Sequence, residues 1–207
     1  DAFSALMKVY EVDNYIACAT SAMRDASNSK EIIREIKADT GIKVEVISGD
    51  LEAEIIYENH IAELLDASKS YLYIDVGGGS TEVTLFHKST VAFQKSFNIG
   101  TVRLLTNKVD DATWEDLKQT LKEIGKTYPK LVAIGSGGNI NKIFSMINSK
   151  NIKSIPIEVI REFLRVLEPM TVEERMHTYL LKRDRADVIV PALRIYASTM
   201  KWANIDE

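Results

Sequence analysis

The segment Asp75-Val-Gly-Gly-Gly-Ser-Thr-Glu82 has the residue types that phosphate chemistry needs. An acid closes one apolar run and a second acid opens the next. Three consecutive glycines, Gly77, Gly78 and Gly79, permit positive φ and can turn several backbone amides toward one point. Such a concavity holds phosphate oxygens, and the hydroxyls of Ser80 and Thr81 add donors. Asp75 and Glu82 can hold a divalent cation or position water. The plain alternative is a glycine-rich hairpin turn flanked by two solvated acids, against which the Asp and the Ser-Thr-Glu weigh. The segment is not a dinucleotide fingerprint, because the G-x-G-x-x-G spacing is absent and a strand follows instead of a helix.

A second glycine element, Gly135-Ser-Gly137-Gly138-Asn139, lies between a buried strand and a helix. Free amides at a helix start attract anions, so Gly135, Gly137 and Gly138 can close another side of a phosphate pocket. Small residues in a tight strand-to-helix connection explain them equally well. Arg103 and Arg24 each have two readings, a charge-assisted fork on a phosphate or a solvated surface arginine. His60, His87 and His177 have no ligand spacing, and no Gly-x-Ser-x-Gly or Gly-Lys-Ser/Thr motif occurs. A carboxylate is left as general base, and Glu52, after the Ser48-Gly49 turn, is the candidate. A first-turn glutamate alone is commonly just a helix-start preference.

These residues need elements to position them. An apolar run at 14–19, a helical period through Ile32, Ile33 and Ile36 closed by Gly41, and an alternating run at 43–47 read as strand, helix and strand, one crossover unit. A helical period then runs from Leu51 to about Asp66. Runs at 71–76, 82–87 and 90–97 are close enough to form an antiparallel meander. A helix over 114–127, a buried strand at 131–134 and a helix through Ile140–Ile147 follow. The last third reads as helical: Pro156 to Leu167, a capping-box spacing at Thr171 and Glu174, and a long helix over 185–202 interrupted by Pro191.

Composition bounds the function. A net charge of −4 argues against a broad nucleic-acid face, but a few amides, an arginine and a metal suffice for a small polyanion. No apolar run approaches the ~20 residues that span a bilayer, and the first residues have no basic stretch preceding an apolar one. No membrane, no nucleic acid and a cytoplasmic address are expected by default. Cys18, the one cysteine, sits in an apolar run and reads as a small buried hydrophobe.

Taken in order, ATSAMRDASN (19–28), VISGDLEAEIIY (46–57), YIDVGGGSTEV (73–83), NIGTVRL (98–104), IGSGGNINKI (134–143) and DRADVIVPAL (184–193) resemble the exopolyphosphatase/guanosine pentaphosphate phosphatase (Ppx/GppA) family. The resemblance runs nearly end to end. It implies an α/β chain of the actin-like (ribonuclease H-like) ATPase fold, with residues 1–50 as part of a first lobe and 51–186 as the second. The last helix, 187–207, is the piece that can return to the first lobe. It implies a hydrolase that removes terminal phosphate from inorganic polyphosphate or pppGpp with Mg²⁺ or another divalent cation, and a homodimer, since related proteins are often dimers. Glu52 matches the base in the family's S-G-x-E-E-A segment, Asp75 and Glu82 its metal-holding acids, and Arg24 the arginine of A-T-x-x-x-R. Leu51 departs from the first glutamate of the pair, Glu54 stands where arginine is frequent, and Pro191-Ala192 replaces an alanine-glycine pair. The family's D-x-G-S-N-S loop, which lies upstream of the matched blocks, has no counterpart here. The chain is therefore expected to be a fragment of a two-lobed protein, inactive alone. A non-catalytic binding or sensory module for polyphosphate or guanosine polyphosphate is the second reading. A sugar or acetate kinase of the same superfamily is the third, disfavoured by the ATSAMR and VISGDLEAE blocks.

Overall fold

β-Branched and aromatic residues in short bounded runs form the strands, and apolar residues at helical spacing form the helices that cover them. The computed structural model describes residues 1–49, 51–52, 55, 65–147 and 154–207. The described chain divides into two compact units, 1–52 and 53–207.

The first unit begins with helix α1 (Ala2–Val9). Strand β1 (Ala17–Ala19) pairs in parallel with β2 (Val44–Val46), with Ala17 opposite Val44 and Ala19 opposite Val46. Between the strands lie α2 (Ser21–Asp25) and α3 (Ser29–Thr40), the expected crossover. Gly41 ends α3 in the left-handed region at φ 74°, a position glycine takes without a Cβ penalty. The strand is shorter than the apolar run predicts, because residues 14–16 lie outside the ladder. Cys18 is exposed, which corrects the expectation of burial. Alternation along β1 puts Ala17 and Ala19 on one face and Cys18 on the other, and among the described residues nothing buries that second face. The helix expected from Leu51 to Asp66 is helical at 49, 51, 52 and 55. The rest of it, with Glu54 and His60, lies outside the described residues.

The second unit is built on the meander. Strands β3 (Ser70–Val76), β4 (Thr81–His87) and β5 (Thr90–Phe97) are antiparallel, and β6 (Leu131–Ser136) joins β3 in parallel, giving the order β5-β4-β3-β6. Leu72, Ile74 and Val76 point to one face with Val83 and Leu85, all at most 4% exposed. Three further short or medium helices follow in chain order: α4 (Thr101–Leu105), α5 (Asp111–Thr127) and α6 (Gly138–Ile147). α5 lays Leu117, Leu121 and Ile124 into the core that this face contributes to. The last helices are α7 (Ile157–Leu167), α8 (Val172–Tyr179) and α9 (Arg183–Trp202).

α9 is buried around much of its circumference and touches α4, α5, α6, α7, α8 and β3. It belongs to the core of the second unit. Pro191 does not interrupt it. The helix is continuous from Arg183 to Trp202 with the proline buried inside, so packing on several sides outweighs the roughly 3 kcal/mol that an interior proline costs. Its first turn is tied to the end of α7 by buried Arg175, whose guanidinium donates to the carbonyls of Leu167 (3.0 Å) and Ala186 (3.1 Å). After α9 the chain runs back along β6. Ala133 N–H donates to the Glu207 carbonyl at 3.0 Å, Ile157 N–H donates to the Asp206 carbonyl at 2.8 Å, and Ile205 is buried.

Candidate functional site

The glycine loop between β3 and β4 is held from below by the segment that follows β5. Thr101 N–H donates to the Gly77 carbonyl at 3.0 Å, and Val102 and Arg103 N–H groups donate to the Gly78 carbonyl at 2.8 and 3.2 Å. Arg103 Nε donates to the Gly79 carbonyl at 2.6 Å, and Thr81 Oγ1 donates to the Ile99 carbonyl at 2.6 Å. Gly77 N–H closes the turn on the Ser80 carbonyl at 2.9 Å. The loop carbonyls therefore face α4.

Gly77, Gly78 and Gly79 do not adopt positive φ; among the described glycines only Gly41 and Gly137 do. The close approach is at Gly100. A Cβ on Gly100 would overlap the carbonyl group of Gly78 and the carbonyl carbon of Gly79, so loop and α4 meet backbone to backbone. Ser80 and Thr81 are both buried, and Thr81 gives its hydroxyl proton to Ile99.

Four polar side chains form one row across the sheet at the mouth of this loop. Ser96 pairs with Glu82, Glu82 with Asp75, and Asp75 with Ser136. Directly opposed residues share a face with Cβ atoms about 4.5–5.5 Å apart in an antiparallel pair, so the two carboxylates lie side by side between two serines. Ser96 Oγ donates to Glu82 Oε1 at 2.8 Å, and Glu82 is only 3% exposed. Burial pushes the Asp75 carboxyl up, against a hydrogen bond from Ser136 that pulls it down.

The second glycine element meets the first here. Gly137, at φ 94°, lies beside the carboxylate: a Cβ there would be 3.2 Å from Asp75 Oδ1. Gly138 lies under Arg185 of α9, whose guanidinium would contact a Cβ at 2.8 Å and whose Nη1 donates to Asn139 Oδ1 at 2.6 Å. Gly135 has a packing role, since a Cβ would meet the Ile140 side chain at 2.8 Å. Tyr196 of α9 donates its hydroxyl to the Ser136 carbonyl at 2.7 Å, at the end of β6. Ser96 and Arg185 escape a motif reading, and Ser136 and Asn139 lie inside the second glycine element with no role read for them. Arg185 sits inside the quoted block at 184–193, but only packing against Gly138, far away in sequence, gives it a place in the site.

Arg24 and Glu52 lie together in the first unit. Arg24 Nη1 donates to the Ile47 carbonyl at 2.6 Å and to Glu52 Oε2 at 3.3 Å, each side chain being 23% exposed. Glu52 N–H donates to the Ser48 carbonyl and Leu51 N–H to Ser48 Oγ, which caps this helix start.

No group of three or more His, Cys, Asp or Glu residues placed to hold a metal occurs among the described residues. Asp75 and Glu82 nonetheless fit a hard cation of the Mg²⁺ type, which is usually held by one or two carboxylates, with water and substrate phosphate filling the other positions. Among the described residues no helix is long and apolar enough to cross a membrane.

The family model of the Ppx/GppA phosphatase family matches residues 1–207. A putative exopolyphosphatase of Haemophilus influenzae is 26% identical over 99% of this chain and 68% of its own length. A guanosine-5'-triphosphate,3'-diphosphate pyrophosphatase of Pseudoalteromonas translucida is 28% identical over 94% of this chain and 41% of its own. A bifunctional 3-dehydroquinate synthase/phosphatase of Fusobacterium nucleatum is 37% identical over 55% of this chain, an alignment that spans 19% of that protein. The crystal structure of an exopolyphosphatase from Cytophaga hutchinsonii superposes with TM-score 0.77 and 25% identity over 100% of this chain and 72% of that one. The Aquifex aeolicus Ppx/GppA structure gives 0.71 and 24% over 99% and 72%. The fold is thus the actin-like one shared by these proteins, and the chain belongs to the Ppx/GppA phosphatase family.

Proposed function

We propose that the protein releases the terminal phosphate of inorganic polyphosphate or pppGpp, with a divalent cation held by Asp75 and Glu82. The observation that carries this is the pair of carboxylates opposed across β3 and β4 at the mouth of the glycine loop. The substrate class draws on relatives named exopolyphosphatase and guanosine-5'-triphosphate,3'-diphosphate pyrophosphatase. A divalent cation bound there supplies charge neutralisation for the oxygens of the transferred phosphate.

The chain's own residues do the rest. The amides of Gly78 and Gly79, with Ser80, receive phosphate oxygens, and Arg185 over Gly138 adds a guanidinium on the side of the second glycine element. Arg103 bonds the loop at Gly79 and keeps its shape. Glu52 takes the proton from attacking water. Arg24 holds that carboxylate until a phosphate oxygen competes for the guanidinium, which frees Glu52 as a proton acceptor. Replacing Glu52 by Gln in the intact protein should lower phosphate release at least about 100-fold, within the range such groups contribute, and leave polyphosphate binding by calorimetry unchanged. Undiminished turnover would remove Glu52 from the mechanism.

A second reading, binding without hydrolysis, is favoured by Leu51, which is 41% exposed beside Glu52 at the first position of the acidic pair. Affinity for pppGpp or polyphosphate with no phosphate release by the complete protein would decide for it.

A further inference from the structure

Arg24, Arg161, Arg165, Arg183 and Arg194 each lie 2.5 to 3.9 Å from a glutamate carboxylate. Arg185, half-buried in the first turn of α9, is held differently. Its Nη1 donates to Asn139 Oδ1 at 2.6 Å, so its partner is a neutral amide. No carboxylate pairs with it among the described residues. A half-buried guanidinium without a counter-charge is ready to receive an anion.

The second glycine element gives this group its place. A Cβ on Gly138 would stand 2.8 Å from Nη2, 3.2 Å from Nη1 and 3.3 Å from Cζ, so the guanidinium lies against the space that the glycine leaves. Asn139, the next residue of α6, is only 7% exposed and supplies the acceptor. From the other side, Arg175 ties the neighbouring Ala186 carbonyl at 3.1 Å. A carboxylate at residue 139 would hold the guanidinium as well, but would also cancel its charge. A carboxamide oxygen accepts the same hydrogen bond and leaves the charge uncompensated.

We propose that Asn139 is a positioning residue for Arg185, with Gly138 leaving room for the guanidinium, so that a phosphate oxyanion meets a cation already oriented and not neutralised. This rests on the reading that Arg185 contacts substrate phosphate. It gives the Gly138-Asn139 pair a function separate from presenting amides at a helix start. Ordering a long side chain only at the moment of binding typically lowers affinity about two- to tenfold.

The test is calorimetric titration of the intact protein with imidodiphosphate and Mg²⁺; the P–N–P bridge of this probe resists hydrolysis, so no turnover intrudes. Asn139→Ala should weaken binding about two- to tenfold. Asn139→Asp keeps an acceptor and suits the first turn of a helix, yet should weaken binding further than Asn139→Ala, an order that a merely structural asparagine would reverse. In an Arg185→Gln background, Asn139→Ala should have no further effect. Thermal unfolding checks that each variant is folded, and Asn139→Asp carries the test if Asn139→Ala collapses. The proposal is overturned if Asn139→Asp binds as well as Asn139→Ala or better. It is also overturned if the Asn139→Ala loss persists without Arg185, or if Asn139→Ala binds like the parent while Arg185→Gln does not. If Arg185→Gln binds like the parent, or the parent does not bind the probe, the phosphate reading of Arg185 itself falls, and this proposal with it.

Discussion

One methyl group at Gly100 would probe how the phosphate loop is built. A Cβ there meets carbonyl atoms of Gly78 and Gly79, which are backbone and cannot swing aside as a side-chain tip does. Gly100→Ala should destabilise the protein by about 1–3 kcal/mol, the usual cost of overpacking. Gly78→Ala meets only the Val102 side chain at 3.3 Å and should cost distinctly less. Urea unfolding of the two variants compares them, and equal losses would show that loop and α4 are not in backbone contact. The residue types of the loop were legible in sequence, but their reason was not. Three glycines in a row suggest positive φ, whereas the tight contact is at Gly100, distant in sequence, which has to lack a Cβ to lie against the loop backbone. Arg185 was hidden for the same reason, since its place over Gly138 is one that only the fold brings about. The paired acids were readable because the hairpin that opposes them is local.

Among the elements, α8 carries the clearest local signal. Thr171 accepts from the Glu174 N–H at 3.2 Å, and the Glu174 carboxylate accepts from the Thr171 N–H at 2.7 Å, a complete capping box. Thr171→Ala should cost about 1 kcal/mol, as for other N-caps. The Thr171 N–H bond above all, with the Thr171 side chain second, holds the Glu174 carboxyl below its ordinary value of 4.5. A depressed folded value means that the carboxylate's contribution is fully present above the unfolded value and fades as pH falls through the folded one. The stability difference between Glu174→Gln and the parent, measured by urea unfolding, should therefore shrink as pH is lowered from 7 to well below 4.5. A difference independent of pH would show that the carboxylate is not bonded in solution. This box was legible because its four residues are consecutive. The strand at 14–19 and the break at Pro191 were misjudged because pairing partners and packing from several helices, which no window of sequence contains, set the strand's start and carry the helix past its proline.

At the scale of the whole molecule, burial is unevenly shared. The second unit contains a contiguous core from Leu72 to Ile205, whereas in the first unit only Ser21 and Ile47 are buried among the described residues. Amide protection follows buried packing, so hydrogen exchange of this chain should be slow in β3, β4 and α9 and fast in β1, β2 and α3. Comparable protection in both units would show that the first has a core of its own. Chain order read from sequence gave the meander and the β6–α6 connection, because neighbouring runs pair with neighbours. It could not place α9, whose apolar residues fit any interior.

The residues after α9 have a consequence for self-association. The β6 margin of the four-stranded sheet is met by the end of the chain, where Ala133 N–H donates to the Glu207 carbonyl, and β5 forms the other margin. Strand-by-strand polymerisation needs two such margins on every unit. Addition at the β6 margin has first to displace the Glu207 carbonyl from Ala133, which sets a hurdle on one of the two sides.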